Sequence, residues 1–284
     1  SLTTEQIAGL ATSTLLKFTT EDWAALNSDQ IAAFGTKQVA SLGSFAITSL
    51  STEQIRYFQT DDLAAFSTVA VRALNSERLG ALTTEQIGAL TSNQIRVLST
   101  SQLVGLGTDA VQAMSTDQFT ALSSQQLRGF TTEQTAAIGT DDLAELSTAA
   151  LRGLSTDQIA ALTTDQIVAL ETQQFANLST AQLRGMRTDQ LAAIQSDDLR
   201  ALGTASIRSL STEQINALTT DQISQLSTVQ VSALTTTQVQ GMSTEDVLAL
   251  STDHAKVLSS AQLRAFGTEQ IAALGTDDLA LLTT

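Results

Sequence analysis

The stretch STDQIAALTTDQIVAL, residues 155–170, contains two copies of one eight-residue phrase. Registered on Thr3, the phrase repeats 35 times along the 284 residues without an insertion. We number its positions 1 to 8, as in S-T-D-Q-I-A-A-L. Position 2 is always Ser or Thr, position 4 is usually Gln, and positions 5 and 8 are almost always large and apolar. The chain is therefore a tandem array of octapeptides.

The period of eight excludes one long helix, because an apolar stripe would rotate by about 80° per repeat and form no lasting face. A β-solenoid would show period-2 alternation, whereas the apolar residues here lie three apart with Ala and Gln between them. A single octapeptide buries too little apolar surface to fold alone. The sequence thus predicts an all-α solenoid of very short capped helices, one per octapeptide, continuous over residues 1–284.

Two capping registers remain open. If position 1 is the N-cap, S-T-D-Q is a capping box with Gln at N3. If position 2 is the N-cap, its invariant hydroxyl is explained and position 1 ends the previous helix, a place that suits glycine. We favour position 2. Glycine occupies position 1 in seven copies: Gly35, Gly43, Gly107, Gly139, Gly203, Gly267 and Gly275.

The net charge of −15 has a local explanation. Most of the 29 acidic residues lie at position 3, and others are Asp at position 4, so both sets fall in the first helical turn, where negative charge is favourable. Such a chain should repel nucleic acids and anionic membranes. No apolar run is long enough for a transmembrane helix, and there is no Cys. The start SLTTEQ, without a Met or signal-peptide features, predicts a segment of a longer array.

A second period lies in the copies that lack an acid at position 3, which are separated by only three copies or one. Their regular spacing predicts about 3.4 octapeptides per superhelical turn, with these copies on one side of the coil. The residues at position 3 of these copies are Ser13, Lys37, Phe45, Val69, Asn93, Ser101, Gln125, Ala149, Gln173, Ala181, Ala205, Val229, Thr237 and Ala261.

Arginine at position 6 recurs in the same copies, at Arg72, Arg96, Arg128, Arg152, Arg184, Arg208 and Arg264. Small residues follow several of them, as in the LRG triplets that contain Gly129, Gly153 and Gly185. We call these copies the acid-free stripe and predict that it is a contact surface for a second copy of the chain or for another protein. The alternative is a merely solvated face.

The Asp residues at position 4 mostly fall in copies on the other side, which predicts an opposing acidic face. They include Asp62, Asp142, Asp198, Asp246 and Asp278.

No motif indicates catalysis or a cofactor. His254 is the only His and is best explained as filling a Gln position, and the pairs Asp61–Asp62 and Asp141–Asp142 are best explained by helix capping. Phosphate-binding and calcium-binding loops are absent from the sequence. We therefore expect no enzyme activity, no metal or cofactor and no small-molecule substrate. A row of position-2 Thr residues leaves ice binding as a minor alternative.

The phrase L-[ST]-T-[DE]-Q-[IV]-x-A-L occurs as LTTEQIGAL at residues 82–90 and as LSTEQINAL at residues 210–218. It resembles the octapeptide tracts of long proteobacterial surface and secreted repeat proteins, including adhesin-like ones. The resemblance covers the whole chain and implies an extracellular or cell-surface spacer, stalk or self-assembling region. A protein-binding solenoid that uses the acid-free stripe is the alternative.

Overall fold

The computed structural model describes residues 2–274, within which every regular element is a helix of four to six residues. The chain divides into two compact units, Ser1–Leu146 and Ser147–Thr284. The last octapeptide, with Gly275 and Asp278, lies outside the described residues. The helices confirm the predicted all-α class, with one helix per octapeptide.

The described helices of the first unit are α1 (Thr4–Ala8), α2 (Thr12–Leu15), α3 (Thr20–Ala24), α4 (Ser28–Ala32), α5 (Thr36–Ala40), α6 (Ser44–Ser49), α7 (Thr52–Ile55), α8 (Thr60–Ala65), α9 (Thr68–Ala73), α10 (Ser76–Gly80), α11 (Thr84–Gly88), α12 (Ser92–Arg96), α13 (Thr100–Val104), α14 (Thr108–Gln112), α15 (Thr116–Ala121), α16 (Ser124–Arg128), α17 (Thr132–Ala136) and α18 (Thr140–Ala144).

The described helices of the second unit are α19 (Thr148–Leu151), α20 (Thr156–Ala161), α21 (Thr164–Ala169), α22 (Thr172–Ala176), α23 (Thr180–Gly185), α24 (Thr188–Ala193), α25 (Ser196–Ala201), α26 (Thr204–Ser209), α27 (Thr212–Asn216), α28 (Thr220–Gln225), α29 (Thr228–Ala233), α30 (Thr236–Gly241), α31 (Thr244–Leu248), α32 (Thr252–Val257), α33 (Ser260–Ala265) and α34 (Thr268–Ala273).

The N-cap is position 1, not the favoured position 2. The Oγ of Ser155 accepts a hydrogen bond from the backbone N–H of Gln158 at 3.2 Å, and the Oε1 of Gln158 accepts the Ser155 N–H at 2.8 Å. Position 2 is the first helical residue, because position 1 is extended, as at Ser155 and Thr163. The six position-1 glycines among the described residues, Gly107 being one, are extended N-caps without a positive φ, so the helix-ending role predicted for them is wrong.

Positions 5 and 8 form the core, as their apolar character predicts. In α20 and α21 these are Ile159, Leu162, Ile167 and Leu170, all at most 3% exposed. Within each unit, helices pack against helices three octapeptides further along, as α6 does against α9 and α23 against α26. The shared burial explains why helices of one turn persist, since none could persist alone.

The glutamine at position 4 connects one superhelical turn to the next. The Oε1 of Gln54 accepts the N–H of its own N-cap, Ser51, at 2.9 Å. Its Nε2 donates to the backbone carbonyls of Trp23 and Leu26, both at 2.9 Å, in the octapeptide four copies earlier. Because packing joins copies three apart and this bond joins copies four apart, one turn holds between three and four octapeptides. This agrees with the predicted value of about 3.4.

Candidate interaction surface

Positions 3 and 6 form the outward face of each helix. Each described acid at position 3 is exposed, for example Asp157 and Asp221, and it lies in the first turn, where the helix dipole favours negative charge. Most residues at position 6 are also exposed. The charge of the surface is therefore set copy by copy by the residues at these two positions.

In the first unit, the helices of the acid-free stripe are joined to one another. Helix α6 packs against α9, and α9 packs against α12. Gln126, in α16, donates to the carbonyls of Ile95 and Leu98 in the octapeptide of α12, at 2.9 Å each. Arg72, Arg96 and the copies around them therefore share one side of this unit, as the second period predicts.

The stripe is also contiguous within the second unit. Gln182, in α23, donates to the carbonyls of Leu151 and Leu154 in the octapeptide of α19, at 2.9 and 3.0 Å. Helix α23 packs against α26, α26 against α29, and α30 against α33. Arg184 and Arg208 thus occupy the same position of two stacked helices.

All seven stripe arginines are exposed. In the part of the chain that the structure describes, no ion pair or side-chain hydrogen bond engages six of them: Arg72, Arg96, Arg152, Arg184, Arg208 and Arg264. By contrast, Arg187, which lies outside the stripe, pairs with Asp189 at 3.0 Å. The six guanidinium groups keep their donors available to a partner.

Most of the large apolar side chains that are exposed also lie on the stripe. Leu16, Phe45, Val69, Val104 and Val229 are between 47% and 69% exposed, and each occupies position 3 or 6 of a stripe copy. Three further ones, Leu2, Val168 and Leu248, lie outside the stripe. The stripe therefore combines cations with uncovered apolar surface, a combination that is typical of protein-binding surfaces.

The predicted acidic face does not come from the Asp residues at position 4. Asp62, Asp198 and Asp246 are buried between turns, at 3–4% exposure, and Asp142 is half-buried. Each takes the place of a Gln but lacks its amide donor. Burial raises the pKa of Asp62 and of Asp198 above the ordinary value, because the charged form is poorly solvated there.

Two glycines of the LRG triplets, Gly129 and Gly185, lie against the adjacent turn of the solenoid. A Cβ at Gly129 would lie 2.7 Å from the Cβ of Thr100, and a Cβ at Gly185 would lie 2.9 Å from the Cβ of Thr156. In both pairs a position-7 glycine meets a position-2 Thr of the adjacent turn. Position 2 therefore lies in the seam between turns, where a small residue is needed.

His254 fills a Gln position, as predicted. Its Nδ1 accepts the N–H of Ser251 at 3.2 Å, and its Nε2 lies 2.7 Å from the carbonyl of Leu226. These two contacts require an Nε2–H tautomer, which reproduces the acceptor and donor of the glutamine amide.

Within residues 2–274, no group of three or more His, Cys, Asp or Glu side chains is arranged to hold a metal ion. Over the same residues, no helix combines the length and the apolar character needed to cross a lipid bilayer.

One family of proteins matches the sequence over more than half of its length. The ALTTAQ repeat matches the segments 55–92, 92–124, 135–172, 167–194, 191–228 and 256–284. No curated protein matches the chain. The repeats confirm a tandem-repeat protein, and the chain therefore belongs to the ALTTAQ-repeat family.

Proposed function

We propose that the chain is a structural segment, a spacer, stalk or self-assembling region, of a bacterial surface or secreted protein. Its role is mechanical and not catalytic. The resemblance to octapeptide tracts of proteobacterial adhesin-like proteins supports the location, and the repetitive helical architecture supports the structural role.

The bond between turns carries the proposal. The Nε2 of Gln222 donates to the carbonyls of Leu191 and Ile194 at 2.9 and 2.6 Å, and equivalent bonds recur through both units. Pulling two adjacent turns apart must break these bonds and expose the aliphatic core between them at the same time. Such a repeated element suits a segment that holds other parts of a protein at a set separation.

Stretching single molecules from their two ends tests the mechanical role. We expect the wild-type chain to resist extension and to lengthen in steps of about one superhelical turn. A variant with Gln214→Ala, Gln222→Ala and Gln230→Ala should yield at lower force. Extension of the wild type without measurable resistance would contradict the proposal.

Labelling of intact cells tests the location. An antibody raised against the octapeptide array should bind intact cells or the culture medium, and added protease should remove the signal from cells. A signal that appears only after lysis would place the chain inside the cell and overturn the surface assignment.

The exposed arginines favour a second candidate, a protein-binding solenoid that uses the acid-free stripe. Two position-2 hydroxyls are engaged between turns, where Thr116 and Thr172 donate to Asp142 and Asp198 at 2.6 Å. No observation favours the ice-binding alternative.

A further inference from the structure

We propose that the acid-free stripe of one chain docks against an acidic ridge of a second copy, so that chains associate side by side. The ridge consists of Asp221, Glu245 and Glu269 on α28, α31 and α34. This inference rests on the proposed structural function and names the partner of its surface.

The two faces have complementary charge. All three ridge acids are exposed, and the position-6 residues beside them, Ser224, Leu248 and Ala272, carry no cation. On the stripe of the same unit, positions 3 and 6 of α23, α26 and α29 include two arginines and no acidic residue. An arginine fork that meets a carboxylate makes a charge-assisted and often bidentate contact.

One chain cannot pair these two faces with each other. Helix α28 follows α26 by two octapeptides, which is more than half of a turn that holds between three and four. The ridge therefore lies on the far side of the unit from Arg184 and Arg208. A contact between two different faces is heterologous, so each copy that docks leaves a free stripe and a free ridge for the next.

The spacing of charges also matches. Arg184 and Arg208 are three octapeptides apart, on helices that pack against each other. Asp221 and Glu245 are likewise three octapeptides apart on the stacked helices α28 and α31. In each pair, the two residues lie on adjacent stacked helices and so have the same spacing. Arginines along one chain can therefore meet acids along another without a change of register.

Exposed apolar side chains lie on both faces. Val229 on the stripe is 62% exposed and Leu248 on the ridge is 63% exposed. A second copy would cover both, which offsets part of the cost of desolvating the charged groups. Burial of these apolar side chains would stabilise the contact between the two faces, which solvated surface charges alone would do only weakly.

Sedimentation velocity of the purified chain over a range of concentrations, at low and moderate salt, tests the inference. We expect wild-type association that weakens with salt. The variant Arg184→Gln/Arg208→Gln should raise the dissociation constant about tenfold or more, since it removes two charge-assisted contacts. Its matched control is Arg56→Gln/Arg200→Gln, which changes two exposed position-6 arginines outside the stripe and should alter it less than about twofold.

The ridge variant Asp221→Asn/Glu245→Gln separates docking from simple charge repulsion. Neutralising two acids reduces the magnitude of the negative net charge, which is −15 in the wild type, so a repulsion effect alone would strengthen association. The inference expects the opposite, a dissociation constant raised about tenfold. Circular dichroism and melting should match the wild type for every variant, because the changed side chains are exposed.

Three results would overturn the inference: a wild type that stays monomeric throughout, equal effects of the stripe and control variants, or tighter association of the ridge variant. A monomeric wild type that still resists stretching would leave the structural function in place and assign the stripe to a different partner. If the chain associates as expected but does not resist stretching, the proposed mechanical role would be wrong and the proposed docking would stand.

Discussion

The side-chain nitrogen of Gln54 donates to the backbone carbonyl of Leu26, 28 residues earlier, at 2.9 Å. That carbonyl belongs to a residue just past the end of a helix, where backbone acceptors have no partner within the helix. The same glutamine accepts the N–H of its own N-cap, Ser51. One side chain therefore provides hydrogen-bond partners for a backbone N–H at the start of one helix and for a backbone carbonyl past the end of another helix in the adjacent turn.

A substitution can remove the donating Nε2 of such a glutamine and keep its accepting oxygen. Gln222→Glu keeps an acceptor for the Thr219 N–H but places a carboxylate against the carbonyls of Leu191 and Ile194. We expect a local loss of about 2–3 kcal/mol at neutral pH, larger than that of Gln222→Ala, because the buried charge is left unpaired. Amide hydrogen exchange around Thr219 measures it, and a smaller loss for Glu than for Ala would contradict the prediction.

Asp62 gives a pH dependence of known sign. Its folded pKa is raised by burial, so the charged carboxyl lowers stability above the folded pKa, and this penalty disappears as the pH falls below the unfolded pKa. Asp62→Gln should therefore stabilise the chain at neutral pH, with an advantage that shrinks in acid. Melting at several pH values tests this. Asp61→Asn, at the exposed neighbour, should change stability by only a few tenths of a kcal/mol.

The seam between turns can be tested by a pair of substitutions. A Cβ at Gly241 would clash with the Cγ2 of Thr212, whereas the next atom of Thr212 lies at 3.3 Å. Gly241→Ala should cost about 1–3 kcal/mol, although alanine favours helices, and Thr212→Ser should restore most of it. Thermal unfolding of the single and double variants measures the coupling. Gly107→Ala, where no atom lies within 4 Å, is the control.

The capping register predicts unequal effects at two adjacent threonines. The Oγ1 of Thr163 accepts the N–H of Gln166 at 3.1 Å, while Thr164 is the first helical residue. Thr163→Ala should therefore cost about 1 kcal/mol and Thr164→Ala distinctly less. Denaturant unfolding of both variants decides between the registers, and a larger loss at Thr164 would reverse the assignment.

The sequence predicts those parts of the fold that depend on local chemistry. The buried Ile159 and Leu162 and the turn of about 3.4 octapeptides follow from spacing alone. Spacing alone left two capping registers open, and the Ser155–Gln158 capping box belongs to the one that was not favoured. The exposure of Arg184 on a shared side follows in the same way.

Other features depend on partners a turn away and could not be predicted locally. The invariant hydroxyl at position 2 suggested a cap, but Thr156 lies where the next turn approaches at Gly185. The recurrence of Gln at position 4 could have indicated the hydrogen bond between turns. A capping box needs only the side-chain oxygen, so a preference for Gln points to a second role for its NH₂ group as a donor. Asp198 was assigned to a surface because its burial depends on the same distant contacts.

The reach of the glutamine bond has a consequence for how such genes can change. Because each copy contacts copies three and four places before it, loss or gain of whole octapeptides gives the downstream chain new partners with the same apolar positions and backbone carbonyls. We expect the fold to survive such recombination at any point. The surface pattern is less tolerant, because removing one copy rotates all later arginines away from the earlier ones, whereas removing seven copies, close to two full windings, restores the alignment.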